Sequence, residues 1–394
     1  MINEVLVVGC GMGTRATMTY EAYEAIASSD VLIGSKRLIE EFGSGKECFA
    51  AISASGVADA LNQAKGEKAC VAVSGDAGFY SLARSLSGQE GSTRYRFIAG
   101  ISSMSMLASR FGLNWDDISS CSLHGRKSDG ASFVSKHEKS FFLLGGEGSL
   151  NSLLGELCDS GLGECICYTG CDLGMASESL MHGTAHSLKE GEFSSLSCCI
   201  VINPFFSLRS QNIPDSGFER GEVPMTKQEA RSVIISSLAL SGSDILYDIG
   251  AGTGSVSIEA AYTARRVYAI ERNSAAISLI EANIRKHAAY NVSIVGGSAP
   301  EALSNLPVAS KAFIGGSGGG LKRIVEALAQ MNPGIRICIS AITLETASEA
   351  LEALSAFSNL EICQLSVSKA RLAGSYHMMM GQNPVYIFTA GGEA

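Results

Sequence analysis

Tyr247-Asp248-Ile249-Gly250-Ala251-Gly252-Thr253-Gly254 decides how this chain folds. The short apolar run Ile245 to Asp248 ends in an acid, and Val256 to Ala261 resumes with helical spacing. Between them lies G-x-G-x-G, a strand-to-helix turn in which glycines let the backbone approach a ligand. A dinucleotide fingerprint more often reads G-x-G-x-x-G. Here the third glycine comes one residue early and Asp248 precedes the turn, which favours S-adenosylmethionine (SAM) over NAD. Further on, Val267-Tyr268-Ala269-Ile270-Glu271 ends a second strand with a carboxylate. A doubly wound sheet places an acid there to grip ribose hydroxyls. The plainer alternative is a tight glycine turn with an exposed Glu.

A second glycine turn opens the chain. Glu4 to Val8 reads as a buried strand and leads directly into Gly9-Cys10-Gly11-Met12-Gly13. Alone, it marks either a Rossmann-like loop or the first turn of any α/β domain. The two turns lie roughly 240 residues apart, too far to serve one nucleotide site in one ordinary domain. The chain therefore reads as two catalytic units.

Its 394 residues suit two or three domains. With 46% hydrophobic and 18% charged residues it can bury sizeable cores, which excludes a disordered class. No apolar run reaches the length of a membrane span. Glu4 stands where a signal peptide would be basic, so the expected location is cytoplasmic. A net charge of −9 speaks against a nucleic-acid partner. An acidic small molecule would need local cations such as Lys36-Arg37, Arg126-Lys127, Lys227 and Arg231, each of which also reads as a solvated surface charge. Cys165, Cys167, Cys171 and Cys198-Cys199 lack paired C-x-x-C spacing, and Gly183 weakens a helical His182/His186 pair. No metal is expected.

Strand-like and helix-like segments alternate through the first ~205 residues, the pattern of a parallel or mixed sheet. Residues 206–224 hold prolines and little periodicity, and read as a linker. Thr226 with Glu229 three residues on predicts a capping box for a helix over 227–240. Seven strands follow, at 245–248, 266–271, 292–296, 312–315, 335–341, 361–366 and 384–389. The last two are close enough to pair antiparallel around a long loop at 371–382.

The N-terminal half resembles the tetrapyrrole (corrin/porphyrin) methyltransferase family, in its precorrin-6Y branch. The likeness rests on Val8 to Gly13, Ser74 to Ser81, Ala99 to Ser103 and Ser122 to Arg126. The C-terminal half resembles the decarboxylating precorrin methylases through Pro224 to Lys227, Asp248 to Ser255, Ala299 to Leu303, Phe313 to Gly319 and Asn383 to Val385. Together these motifs cover nearly all of the chain. The resemblance implies an α/β protein with a two-lobed tetrapyrrole-methylase domain over 1–205. A seven-stranded Rossmann-like SAM-methyltransferase domain follows over 225–394. It further implies methylation of precorrin-6B at carbons 5 and 15 with loss of the ring C acetate carboxyl, giving precorrin-8X in cobalamin synthesis. Each domain would bind one SAM. Related methylases assemble, so a homo-oligomer, dimer or tetramer, is expected.

Residue by residue, the likeness assigns SAM in the second unit to Asp248, Gly250, Gly252, Gly254, Glu271, Ser298 and Ala299. Many relatives carry Asp where Ser298 stands. Gly315, Gly316, Ser317 and Gly318 would floor the methyl-transfer site. Thr226, Lys227 and Arg231 are candidates for gripping substrate carboxylates, and with Ser317 for catalysis. The first unit would hold SAM through Gly9, Gly11, Gly13, Gly75, Asp76, Ser102 and Ser103. His124 and Arg126 would face the substrate. For Asp76 a turn-forming role remains the alternative, and for Thr226 a helix cap. Methyl transfer from SAM to an electron-rich ring is largely a positioning task, which accounts for the lack of a nucleophile constellation. Open alternatives are NAD chemistry, a cobalt-bearing ring, an RNA or protein acceptor, and a unit that binds without catalysing.

Overall fold

The computed structural model describes residues 2, 4–87, 93–123, 129–146, 148–206 and 212–392. His124 and Arg126 lie outside the described residues. The chain divides into two compact units: Met1–Gly130 with His137–Pro204, and Ala131–Lys136 with Phe205–Ala394.

Unit 1 holds two sheets. β1 (Glu4–Gly9), β2 (Val31–Gly34), β3 (Glu47–Ala50), β4 (Ala69–Val73) and β5 (Arg94–Ile98) form a parallel sheet ordered β3-β2-β4-β1-β5. Every residue of β2 and β4 is buried, as expected of strands covered on both faces. β6 (Ser119–Ser122), β7 (Lys139–Leu143), β8 (Ile166–Cys171), β9 (Ser179–Thr184) and β10 (Ser197–Ile202) form the other, ordered β6-β7-β10-β8-β9. Only its β6–β7 pairing is parallel. The two sheets are the two expected lobes. Cys165, Cys167, Cys198 and Cys199 are buried free thiols, and desolvation pushes the Cys165 thiol up to about 12. Among the described residues no three His, Cys, Asp or Glu side chains converge as a metal site.

Unit 2 is built on β11 (Ile245–Ile249), β12 (Arg266–Glu271), β13 (Val292–Gly296), β14 (Lys311–Ile314), β15 (Arg336–Ala341), β16 (Glu361–Leu365), β17 (Ser368–Ala373), β18 (Tyr376–Gly381) and β19 (Val385–Ala390). Seven of these make one sheet ordered β13-β12-β11-β14-β15-β19-β16, with β19 antiparallel to both neighbours. β11 is buried along its whole length and alternates between two cores. Ile245, Tyr247 and Ile249 pack with the helices Leu321–Met331 and Leu344–Leu354. Leu246 packs with Gln228–Leu238 and Ser255–Ala261.

Two local expectations need correction. The residues read as a linker are, from 212 on, docked on unit 2. Ile213 and Phe218 join its core, and the Glu219 N–H donates to Asn283 Oδ1 at 2.8 Å. Proline density marked an irregular path, but these two apolar side chains anchor it. The expected loop at 371–382 belongs to a hairpin of its own, β17 paired with β18 from Ser368↔Gly381 to Ala373↔Tyr376.

Candidate active site

Strand register assembles the site in unit 2. Ile249 lies opposite Ile270 on one side and Ile314 on the other, and Glu271 opposite Gly296. The next residues, Gly250, Glu271, Gly297 and Gly315, therefore meet at the carboxyl ends of adjacent strands. Here the strand order reverses between β11 and β14, where open α/β sheets bind ligands. A cleft of about 700 Å³ opens there, walled by Gly250, Gly252, Glu271, Ser298, Ala299 and Gly315 to Gly318, with Thr226 and Lys227 alongside. Gly250 has φ +73°, and a Cβ on it would lie 2.6 Å from the Gly316 carbonyl. The turn thus requires glycine both for its left-handed backbone and for the neighbouring loop.

Glu271 is set by three backbone donors. Arg272 and Asn273 N–H donate to Oε1 at 2.8 and 2.9 Å, and Gly252 N–H to Oε2 at 2.9 Å. Its remaining lone pairs can accept from a ribose diol. Asp248 and Gly254 are not on the cleft wall. Asp248 is fully buried, Ser257 Oγ donates to its Oδ2, and Oδ1 has no partner. The expected cofactor contact from Asp248 is corrected: burial holds this side chain behind the turn.

Desolvation pushes the Asp248 carboxyl up to about 6, although hydrogen bonds to Ser257 work against it. Between about 4 and 6 the unfolded chain has released this proton and the folded chain keeps it, so stability falls as pH rises. Above that window the penalty is constant at about 3 kcal/mol. Asp248→Asn removes this titration. Its unfolding free energy relative to wild type should therefore rise by up to about 3 kcal/mol between pH 4 and pH 7. A difference that stays flat with pH would show that Asp248 ionises without cost.

Arg231 is the larger correction. Its side chain has no exposure and each nitrogen of its guanidinium donates a hydrogen bond. Nε donates to Glu259 Oε1 at 2.7 Å, Nη1 to the Thr226 carbonyl at 2.8 Å, and Nη2 to the Ile213 carbonyl. The Phe218 ring lies 4.7 Å away. Arg231 therefore binds the 212–219 segment to the helix and is not available to substrate. The expected capping box is also absent. The helix starts at Gln228 with Lys227 as N-cap, and Asp215 Oδ1 takes the Gln228 N–H at 2.9 Å. Thr226 lines the cleft, and among the described residues its Oγ1 makes no hydrogen bond.

Unit 1 repeats the scheme with different parts. Gly9 pairs with Val73 and Val8 with Ile98, and Gly11 bridges Gly75 through bonds of 3.1 and 2.7 Å. A Cβ on Gly9 would sit 2.7 Å from Gly100 N, and one on Gly100 would sit 2.3 Å from the Gly75 carbonyl. Beside these contacts lies a cleft of about 1510 Å³, walled by Gly11, Gly75, Ser103, Leu144 and Gly145. Gly9, Gly13, Asp76 and Ser102 are not on that wall. Asp76 is corrected to the turn-forming alternative: Gly78 N–H donates to Oδ1 and Gly100 N–H to Oδ2, both at 2.8 Å. Ser102 caps the helix Ser103–Phe111 by accepting from Ser105 N–H.

Sequence reasoning missed what Tyr80 and Arg272 contribute, and offered Arg37 only as a local cation. Arg37 donates to the Met12 carbonyl at 2.8 Å and Ser74 Oγ at 3.0 Å, which braces the opening loop. Tyr80, at φ +48°, reaches the Ser120 carbonyl at 2.8 Å and so joins the Gly75 turn to β6. Arg272 lines the second cleft. Only the positions next to glycine motifs could have signalled them.

Residues 4–189 match the Tetrapyrrole (Corrin/Porphyrin) Methylases, and residues 217–391 the Precorrin methyltransferase domain. A probable cobalt-precorrin-6B C(15)-methyltransferase (decarboxylating) of Pyrobaculum calidifontis is 44% identical over 185 residues, covering 45% of this chain and 94% of that protein. This chain belongs to the precorrin methyltransferase family. The cobalt-precorrin-6B C(15)-methyltransferase (decarboxylating) of Salmonella typhimurium is 38% identical, over 44% of this chain and 92% of its own length. A crystal structure of precorrin-6y C5,15-methyltransferase from Geobacter metallireducens shares 38% identity over 46% of this chain and 97% of its own, with a TM-score of 0.44.

As a precorrin methyltransferase the chain is a SAM-dependent C-methyltransferase. Its second cleft fits that cofactor: the glycine turn borders about 700 Å³ of space, and the Glu271 carboxylate keeps accepting capacity beside it.

Proposed function

We propose that the chain methylates precorrin-6B at carbons 5 and 15 and removes the ring C acetate carboxyl, giving precorrin-8X in cobalamin synthesis. The observation that carries this reading is the pairing of two glycine-turn clefts of different fold on one chain. The decarboxylating relatives support assigning carbon 15 and decarboxylation to unit 2, which leaves carbon 5 to unit 1. We divide the chain into catalytic domains over 1–205 and 225–394.

SAM, when bound, supplies an electrophilic methyl group. The work of the chain is to hold the reacting carbon in line with it and keep water out. Gly250, Gly252 and Glu271 fix one side of that alignment, and Gly315, Gly316, Ser317 and Gly318 the other. Thr226 and Lys227 stand ready for substrate carboxylates. Ile342, Leu365, Val367 and Val385 give the same cleft an apolar wall against which a carboxylate loses solvent. Decarboxylation then breaks the bond to the carboxyl carbon. The electron pair passes into the conjugated macrocycle, carbon dioxide leaves, and the side-chain carbon takes up a proton.

We further propose a cytoplasmic homo-oligomer, dimer or tetramer, without a nucleic-acid partner. No helix among the described residues is long and apolar enough to cross a membrane. The β17–β18 hairpin exposes Tyr376, Met378 and Met380 on one side and Leu372 and Met379 on the other, apolar surface suited to a second copy of the chain.

The test is incubation with methyl-labelled SAM and metal-free precorrin-6B, followed by mass spectrometry. Gain of two labelled methyls with loss of one carbon dioxide is expected. The relatives' names favour the cobalt-bearing ring as a second substrate, tested in the same assay. A ring left unchanged in both forms overturns the reading.

A further inference from the structure

Arg231 was the arginine that sequence put forward for substrate carboxylates, and it is buried in an ion pair. The cleft of unit 2 nevertheless has cations on its wall. Among the described lining residues these are Lys227 and Arg272. Lys227 Nζ lies 3.9 Å from Asp215 Oδ2, at the limit of an ion pair. Arg272 is exposed, and among the described residues no hydrogen bond, ion pair or ring contact engages its guanidinium.

Its placement is specific. Arg272 follows Glu271 at the end of β12, yet its head lies against the loop after β14: a Cβ on Gly318 would be 3.4 Å from Nη1. β11 lies between those two strands, so the side chain crosses above the Gly250 turn. It leads away from the Glu271 carboxylate towards the floor assigned to the transferring methyl. Gly318, at φ +58° and without a side chain, leaves that path open.

We infer that Arg272 binds a carboxylate of the tetrapyrrole substrate that is retained through the reaction. This assignment rests on the proposed function of unit 2. The sulfonium of the cofactor gains nothing from a nearby guanidinium, and its single α-carboxylate is the competing partner that the SAM affinity below tests. A ring bearing acetate and propionate side chains gains a bidentate partner. The carboxylate that leaves as carbon dioxide cannot be the one held, because an ion pair stabilises the carboxylate relative to the neutral product. Arg272 orients the ring, and the apolar wall of the cleft receives the acetate that reacts.

The experiment uses the full chain, with carbon dioxide release from metal-free precorrin-6B as activity and calorimetry for SAM affinity. Arg272→Ala should raise the KM for the ring at least about tenfold, as expected for a lost charge-assisted bidentate contact, and leave the SAM Kd within about twofold. Arg272→Lys should recover part of the loss, since it keeps the charge without the planar fork. A weakened SAM Kd with an unchanged ring KM would reassign Arg272 to the cofactor. If neither constant moves, Arg272 is a surface residue and the inference fails. Absence of carbon dioxide release by the wild type with SAM bound would overturn the function proposed for unit 2, and this assignment with it.

Discussion

Arg231→Ala is expected to lower the stability of unit 2 by about 3–5 kcal/mol, the usual cost of removing one member of a buried ion pair. The change leaves Glu259, itself 5% exposed, with a charge and no cation. It also strips the Ile213 and Thr226 carbonyls of their donors and the Phe218 ring of its cation. For a unit of this size the midpoint should fall by roughly 10 °C. The chain has one tryptophan, Trp115, and it lies in unit 1. A circular dichroism transition that moves to lower denaturant with Trp115 emission unchanged would therefore locate the loss in unit 2. Lys227→Ala, which removes a half-exposed side chain nearby, should leave the midpoint within about 0.5 kcal/mol. Unchanged melting of Arg231→Ala together with a raised ring KM would restore Arg231 to the substrate.

Gly250→Ala should abolish methyl transfer and decarboxylation by unit 2 while leaving unit 1 folded. The new Cβ would meet Gly316 at three backbone atoms: the carbonyl oxygen at 2.6 Å, N at 2.8 Å and Cα at 2.9 Å. Backbone cannot step aside as a side-chain tip can. Overpacking and a left-handed residue carrying a Cβ together cost about 3 kcal/mol. Functionally the effect is larger, because the displaced loop carries Gly315 to Gly318. A misplacement of about 1 Å is enough to cost about a hundredfold in rate. Calorimetry with SAM would show one binding event fewer per chain, and labelled carbon dioxide release would fall below about 1% of wild type. Retention of both activities would mean that this turn does not seat the cofactor.

The parts of this structure that sequence revealed are those where backbone pattern alone sets geometry. Short apolar runs such as Ile245 to Asp248 and Ala69 to Val73, bounded by turn residues, read as interior strands. Once they pair in register, the residue after each strand falls at the site, which is why Gly250, Glu271 and Gly315 were legible. Side-chain roles were legible only where no distant partner competes. Thr226 with Glu229 has the spacing of a capping box, but Asp215, from the preceding irregular segment, reaches the Gln228 N–H instead. Arg231 is one position among surface-like residues until Ile213, Phe218 and Glu259 close around it. Asp76 offers the same carboxylate to a ligand or to the Gly78 and Gly100 amides, and the fold supplies the amides. Arg272 carried no signal, because its role depends on the bare Gly318 across the cleft.

The order of strands in the second sheet also bears on how the protein is made. β19 follows β16 in the chain but lies between it and β15. On the ribosome, residues 361–365 therefore emerge with no place to dock until residues 385–390 have followed. Until then the nascent chain presents the unpaired edge of β15. Such an edge is a template for strand addition by another chain. A pause in synthesis between these two strands should be the step at which this polypeptide most needs a chaperone.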